Sequence, residues 1–235
     1  MIHDNYLAPG GKEYTLTAGQ LAGLTAKSKV LDIACGTAVA SIHLTKKFGC
    51  KATAVDLDTD LIAQGKSFAQ ELGVEKNIDF IAADFNALTF PKNSFDMIVA
   101  EGGAMSYIGR SNGLKRAHQL LKKNGYIEIS DLIIRANQSI PKKVRDVVLP
   151  GDMQVETEDS YRALLRLNNY ELIFCSHIAQ QYWQSYYANV ALNLKNRKGP
   201  FANSNFRKEM QKEIALFKSK KLDFFSYIFI VAKKI

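Results

Sequence analysis

Residues 29–38 read Lys-Val-Leu-Asp-Ile-Ala-Cys-Gly-Thr-Ala, and this stretch decides the fold. Its first part is mostly apolar and β-branched, which predicts a short buried strand at 29–34. The following Cys-Gly-Thr-Ala predicts a tight turn that leads directly into a helix at 37–48. A strand, a tight turn and a helix in this order bring backbone N–H groups and a helix N-terminus close to a ligand, commonly a nucleotide-like cofactor.

Outside this stretch, the apolar periodicity continues to alternate between strands and helices. The further predicted strands are 52–56, 78–83, 95–101, 126–134, 170–178 and 224–232, and the further predicted helices are 58–72 and 113–123. Short apolar strands joined by crossover helices predict a doubly wound α/β fold with a mostly parallel, Rossmann-like sheet. The last strand ends the chain and is expected to pair antiparallel with its neighbour.

Length and composition favour one domain. The 235 residues are 47% apolar and 23% charged, as in ordinary globular proteins. We predict a single domain over 1–235, with 135–154 and 181–221 as inserted lid-like segments. The apolar runs are far too short to span a membrane, and the N-terminus lacks a secretory pattern, so a cytoplasmic protein is expected. The three cysteines have no metal-ligand spacing, so we expect reduced thiols and no metal site.

The net charge of +8 comes mainly from one segment. Between Lys195 and Lys221 there are nine lysines or arginines against Glu209 and Glu213. This segment is interpreted first as a solvated helix face. Two alternatives stay open. The segment could form a collar that attracts an acidic acceptor, or it could be an RNA-binding surface, although no RNA-binding motif accompanies the charges.

Acidic residues follow two further strands at the edge where the first turn lies. Asp56 comes 20 residues after Gly36, a position from which a carboxylate accepts hydrogen bonds from ribose hydroxyls. Asp84 and Phe85 end the next strand and are suited to accept from an exocyclic amine and to cover a purine ring. Three neighbouring strand ends are therefore predicted to converge on one adenosine.

These motifs together resemble the class I S-adenosylmethionine-dependent methyltransferases. Residues 30–38 look like the glycine-rich first motif of that family, 54–58 like its ribose-binding motif and 83–85 like its adenine-binding motif. The resemblance implies a seven-stranded sheet with an antiparallel last strand, S-adenosylmethionine as cofactor, and a place in the small-molecule branch that includes quinone-biosynthesis-like enzymes. It implies cofactor contacts from Gly10, Gly11, Asp32, Ala34, Cys35, Gly36, Thr37, Asp56, Leu57, Asp84, Phe85, Glu101 and Gly102.

The first motif departs from the family pattern at two positions. Ala34 and Ala38 stand where the family usually has glycine. If the backbone has a positive φ angle there, the added methyl groups crowd the methionine end of the cofactor. We expect the two alanines to be tolerated, at the cost of weaker cofactor binding if such crowding occurs.

Candidates for the methyl-acceptor site lie on three further segments. Glu101 ends the fourth predicted strand and is the best candidate for steering an amine or taking a proton. Tyr6 and Tyr14 flank Gly10 and Gly11 in an N-terminal segment that the resemblance implies folds over the site. Trp183, Tyr186 and Tyr187 share one face of a predicted helix and form an aromatic wall for the acceptor or pack on the sheet.

The sequence thus predicts a methyltransferase that acts on a small polar metabolite by direct in-line displacement. The alternatives are an RNA methyltransferase, a non-catalytic cofactor-binding partner subunit, and an NAD(P)-dependent oxidoreductase. The last requires a GxGxxG turn, which residues 34–39 do not supply. Nucleic-acid bases are disfavoured as acceptors, no membrane partner is expected, and the oligomeric state stays open.

Overall fold

The computed structural model describes residues 6–135, 139–149, 154–196, 204–220 and 222–235, without the side chains of Asn196 and Phe206. The strands are β1 Lys29–Ile33, β2 Lys51–Asp56, β3 Ile78–Ala82, β4 Phe95–Ala100, β5 Leu121–Ile134, β6 Tyr170–His177 and β7 Phe225–Lys234. The helices are α1 Lys12–Leu21, α2 Val39–Phe48, α3 Thr59–Glu71, α4 Ala104–Ile108, α5 Arg110–Leu120, α6 Lys142–Val148, α7 Glu158–Leu167, α8 Gln180–Asn196 and α9 Ser204–Lys218.

The strands form one seven-stranded sheet in the order β3-β2-β1-β4-β5-β7-β6. The pairs among β1 to β5 are parallel, whereas β7 runs antiparallel to both β5 and β6. Central strands are buried on both faces, which explains why their sequences read as continuous apolar runs. The predicted doubly wound fold with an antiparallel last strand is confirmed.

Two apolar clusters cover the two faces of the sheet. On one face, α1, α2, α8 and α9 contribute buried residues such as Ala18, Leu44 and Trp183. On the other face, α4, α5 and α7 contribute Met105, Leu114 and Tyr161. The sheet therefore lies between two helical layers, and its carboxyl-terminal edge is left for a ligand.

Local signals explain most element boundaries. Asp58 caps α3 by accepting hydrogen bonds from the Asp60 and Leu61 amides. The predicted helix at 37–48 begins only at Val39, because Ala38 has a left-handed backbone. No helix among the described residues combines the length and apolar character that crossing a membrane requires.

The prediction of a helix at 113–123 is wrong at both ends. The observed α5 begins at Arg110 and ends at Leu120. Leu121 pairs with Phe95 on β4, so tertiary pairing draws these residues into β5 instead of the helix. Within the segments predicted as lids, α6 lies in 135–154, while α8 and α9 fall largely in 181–221; 136–138, 150–153, 197–203 and 221 lie outside the described residues.

Candidate active site

The main cavity lies where the strand order reverses. β1 and β4 are neighbours in the sheet, and the chain winds outward from them in opposite directions. In open α/β sheets, the crevice beyond the carboxyl ends of such strands is the usual ligand site. A cavity of about 500 Å³ occupies this position, and residues after β1, β2, β3 and β4 line it.

The turn after β1 has an unusual backbone. Ala34, Gly36 and Ala38 all have left-handed φ angles, of 52°, 55° and 54°. A Cβ added at Gly36 would lie 3.0 Å from Leu7 Cδ1, so this glycine lets the N-terminal segment approach the loop. Left-handed alanine costs about 1 to 2 kcal/mol per residue. Ala34 lines the cavity, whereas Ala38 is fully buried in the core.

The acid at the end of β2 organises this loop. One Asp56 oxygen, Oδ2, accepts a hydrogen bond of 2.7 Å from the Gly36 amide, and the other, Oδ1, accepts one of 2.9 Å from the Asp58 amide. The neighbouring Leu57 is 72% exposed and offers an apolar surface to the cavity. Asp56 therefore faces the cavity with both oxygens held in place and with lone pairs left for a ligand.

The predicted adenine contacts lie at the end of β3. Asp84 lines the cavity and accepts a hydrogen bond of 2.8 Å from the Asn86 amide. Phe85 lines the cavity too, but it is only 4% exposed, and the Arg116 guanidinium carbon lies 4.1 Å from its ring centroid. Phe85 is mainly a core residue, so it presents only a small surface to a ligand.

Two further carboxyl groups lie at the β1 and β4 ends. Asp32 Oδ2 accepts hydrogen bonds from the Ser41 hydroxyl and amide, at 2.7 and 3.2 Å. Burial raises the pKa of Asp32 to about 7, with a further contribution from Asp56. Burial likewise raises the pKa of Glu101 to about 8, partly offset by the Thr15 hydroxyl, which donates to Glu101 at 2.6 Å. Both groups change protonation near neutral pH.

The charge of the cavity is one-sided. Four carboxyl side chains line it, those of Asp32, Asp56, Asp84 and Glu101. In the described part of the chain, no lysine, arginine or histidine lines it. Within the same residues, no three His, Cys, Asp or Glu side chains are grouped so as to hold a metal ion. The cavity is therefore complementary to an organic cation.

The predicted N-terminal contacts divide into two groups. Tyr6 lines the cavity, and its hydroxyl lies 3.0 Å from Thr15 Oγ1. Gly10, Gly11 and Tyr14 line neither this cavity nor the one beside it. The Tyr14 hydroxyl instead accepts a hydrogen bond from the Ala179 amide.

The other predicted residues fall into two cavities. The main cavity is lined by Asp32, Ala34, Cys35, Gly36, Thr37, Asp56, Leu57, Asp84, Phe85, Glu101 and Gly102. Trp183, Tyr186 and Tyr187 line a second cavity, although Trp183 and Tyr187 also belong to the apolar core. Burial raises the pKa of the Cys35 thiol well above its usual value, so this thiol stays protonated.

Sequence reasoning missed several lining residues. Leu7 and Ala8 from the N-terminal segment, and Tyr107 and Ile108 from α4, also line the main cavity. The short apolar run beside Gly10 was a signal for the first pair. No comparable signal marks Tyr107, which is 75% exposed and lines both cavities.

Sequence comparisons agree with this geometry. A family model described as "Methyltransferase domain" matches residues 30–125. A ubiquinone/menaquinone biosynthesis C-methyltransferase from Shewanella baltica is 27% identical over 161 residues, 65% of this chain and 62% of that protein. The enzyme of the same description from Blochmanniella pennsylvanica is 30% identical over 58% of this chain and 56% of its own length. The chain thus spans about three fifths of the curated relatives that it matches.

Structural comparisons show the same fold. YjhP from E. coli matches with a TM-score of 0.80 at 18% identity, covering 98% of this chain and 96% of that one. Geranyl diphosphate C-methyltransferase from Streptomyces coelicolor matches with a TM-score of 0.72 at 13% identity, over 96% and 76% of the two chains. The [4+2]-cyclase SpnF matches with a TM-score of 0.76 at 16% identity, over 95% and 80%. The motifs, the methyltransferase-domain match over residues 30–125 and the fold together support a class I S-adenosylmethionine-dependent methyltransferase.

Proposed function

We propose that this chain binds S-adenosylmethionine and transfers its methyl group to a small polar molecule by direct in-line displacement. The observation that carries the proposal is the charge of the main cavity. Four carboxyl groups line it and, among the described residues, no basic side chain does. S-adenosylmethionine carries a sulfonium and an ammonium group, so this lining suits it.

Each part of the cofactor has a matching element. Asp56 would hold the ribose hydroxyls, and Asp84 would accept from the adenine amine. The backbone at 34–37 and the first turn of α2, which has no side-chain cap, would hold the methionine part. When bound, S-adenosylmethionine supplies an electrophilic methyl group on a positively charged sulfur.

The protein's own work is positioning and proton handling. Tyr6, Leu7 and Ala8 line the cavity and would shield a bound cofactor from water. Glu101 has a pKa of about 8 because of burial, so its carboxyl group is able to hold or accept a proton near neutral pH. Glu101 and Tyr6 therefore stay candidates for acting on the acceptor, whereas Tyr14 is left without a catalytic role in this proposal.

The alternatives fit the main cavity less well. The diphosphate of a nicotinamide cofactor would meet carboxyl groups and, in the described lining, no cation. RNA methylation would require basic residues at the cavity, and the described lining contains no lysine, arginine or histidine. A non-catalytic cofactor-binding subunit would share every feature of this cavity, so only turnover separates it from an enzyme.

Label transfer tests the proposal. The protein is incubated with methyl-labelled S-adenosylmethionine and a cell extract, and labelled small molecules are identified by mass spectrometry. We expect at least one labelled compound, and we expect Asp56→Ala to weaken cofactor binding by about 1.5 to 3 kcal/mol per lost hydrogen bond. Asp79→Ala, an exposed acid on β3, serves as control. Cofactor binding without any labelled product would favour the non-catalytic subunit.

A further inference from the structure

A second cavity of about 190 Å³ lies beside the main one. Leu7, Ala8, Gly102 and Tyr107 line both cavities and so form their common boundary. A molecule in the second cavity would therefore lie next to the cofactor, provided that the main cavity binds S-adenosylmethionine as proposed above. The chemistry of this second lining indicates which class of acceptor it takes.

Aromatic rings form much of the wall. Trp183, Tyr186 and Tyr187 extend from α8, and Tyr227 faces them from β7. The Trp183 and Tyr227 rings meet edge to face at 5.6 Å, and the Tyr186 and Tyr187 rings do so at 4.9 Å. The faces of such rings carry partial negative charge and attract cations.

Two carboxyl groups line the same cavity, and their situations differ. Asp131 is fully buried and accepts hydrogen bonds from Arg110 at 2.8 Å and Ser106 at 2.7 Å, so its charge is balanced. Glu213 accepts a hydrogen bond of 2.6 Å from the Tyr187 hydroxyl. In the part of the chain that the structure describes, no lysine, arginine or histidine pairs with Glu213 or lines this cavity. Glu213 thus supplies an unbalanced negative charge beside aromatic rings.

We infer that the second cavity binds the ammonium group of an amine acceptor between Glu213 and the aromatic rings of α8 and β7. A phosphate- or carboxylate-bearing acceptor would instead face Glu213 without a balancing cation among the described residues. For transfer, the ammonium group loses one proton to the Glu213 carboxylate, which frees the nitrogen lone pair. This lone pair forms the N–C bond while the S–C bond breaks, and the electron pair of that bond stays on the sulfur.

Three probes of matched shape and different charge test this inference. Choline is cationic, 3,3-dimethylbutan-1-ol is neutral, and 3,3-dimethylbutanoate is anionic. Each is titrated calorimetrically into the protein saturated with S-adenosylhomocysteine. We expect choline to bind at least about tenfold more tightly than the alcohol, the size of a desolvated cation–π contact, and the anion to bind most weakly.

A matched pair of variants on α9 assigns the preference to Glu213. Glu213→Gln removes the cavity charge, and Glu209→Gln removes the same charge from an exposed position one turn earlier. The preference for choline should fall several-fold in Glu213→Gln and persist in Glu209→Gln. Three results would overturn the inference. They are binding of the alcohol or the anion that equals or exceeds that of choline, no binding of any probe, and an unchanged preference for choline in Glu213→Gln. Failure of S-adenosylhomocysteine itself to bind would instead overturn the proposed function.

Discussion

The Thr15 hydroxyl donates a hydrogen bond of 2.6 Å to Glu101 Oε1 and thereby ties α1 to the end of β4. The Tyr6 hydroxyl lies 3.0 Å from the same Thr15 oxygen. Thr15 is fully buried, so water does not replace it as a donor. The N-terminal segment and the carboxyl group of Glu101 are therefore coupled through one side chain.

Removing this donor should weaken cofactor binding. Thr15→Val keeps the shape of the side chain but takes away a hydrogen bond to an ionisable group, worth about 1.5 to 3 kcal/mol. Since that bond lowers the pKa of Glu101, its loss raises the pKa and leaves less carboxylate at pH 7. We expect S-adenosylmethionine affinity at pH 7 to fall about tenfold by calorimetry. Thr17→Val, on the same helix, is the control, and equal losses in both variants would contradict the assignment.

Cofactor binding should strengthen as the pH rises. Asp32 and Glu101 have pKa values raised by burial to about 7 and about 8, so both become more negative between pH 6 and pH 9. A cationic ligand binds the carboxylate forms better, and binding therefore releases protons. Calorimetry in buffers of different ionisation enthalpy measures this release. Proton uptake, or an affinity that falls over this pH range, would refute the prediction.

Asp32 and Glu101 should also make the ligand-free protein less stable as the pH rises, the opposite of the trend for cofactor binding. In the folded protein the two carboxyl groups hold protons up to pH values where the unfolded chain has lost them. The free energy of unfolding should therefore fall as the pH rises from about 5 to about 9, by about 1.4 kcal/mol for each tenfold difference in proton affinity between the folded and unfolded states. Urea unfolding of wild type and Glu101→Gln at both pH values tests this. An equally steep decline in the variant would show that Glu101 is not responsible.

Glu128 is a buried acid whose removal should stabilise the fold. It lies on β5 with no exposed surface, and both carboxyl oxygens lack a hydrogen-bond partner, although the Ala100 amide is nearby. Burial, together with Glu101 and Asp32, raises its pKa well above the usual value. Replacement by Met, of similar size, should raise the free energy of unfolding by about 1 to 3 kcal/mol.

A second variant at this position separates polarity from ionisation. Glu128→Gln cannot ionise but leaves an unsatisfied amide in the core, so it should gain little stability at pH 6. If Glu128→Met is less stable than Glu128→Gln in urea unfolding, the side chain has a role that burial alone does not describe.

Gly65 on α3 should not tolerate a methyl group. A Cβ there would lie 2.6 Å from the Thr37 carbonyl oxygen, so the cofactor loop would have to move. Gly65→Ala should cost about 1 to 3 kcal/mol of stability and also weaken cofactor binding. Ser67→Ala, exposed on the same helix, should change stability by less than about 0.5 kcal/mol. Wild-type thermal stability in Gly65→Ala would show that the contact is not tight.

The cofactor part of the site was predictable from sequence because each of its segments directly follows a strand that the sequence reveals. The turn at 34–38 and the acids at Asp56 and Asp84 follow strands whose apolar runs are unmistakable, and parallel strands place their carboxyl ends together. A left-handed backbone at Ala34 and Ala38 was only a condition in the sequence analysis, and the structure shows that both residues adopt it.

The second cavity was only partly predictable. Trp183, Tyr186 and Tyr187 share a helix face, which periodicity reveals, but Asp131 and Tyr227 come from strands remote in sequence. Glu213 lies between Lys195 and Lys221, a segment that was interpreted as a solvated helix face because it contains many basic residues. The net charge of the segment did not reveal that Glu213 lines the second cavity, because the orientation of a single side chain depends on tertiary packing.

A crystal structure with S-adenosylhomocysteine tests the central claim most directly. We predict the ribose hydroxyls at Asp56, the adenine between Leu57 and Asp84, and the amino-acid part along the backbone at 34–37, with the sulfur facing the second cavity. A main cavity without ligand at saturating concentration, or the nucleoside bound elsewhere on the protein, would contradict the account.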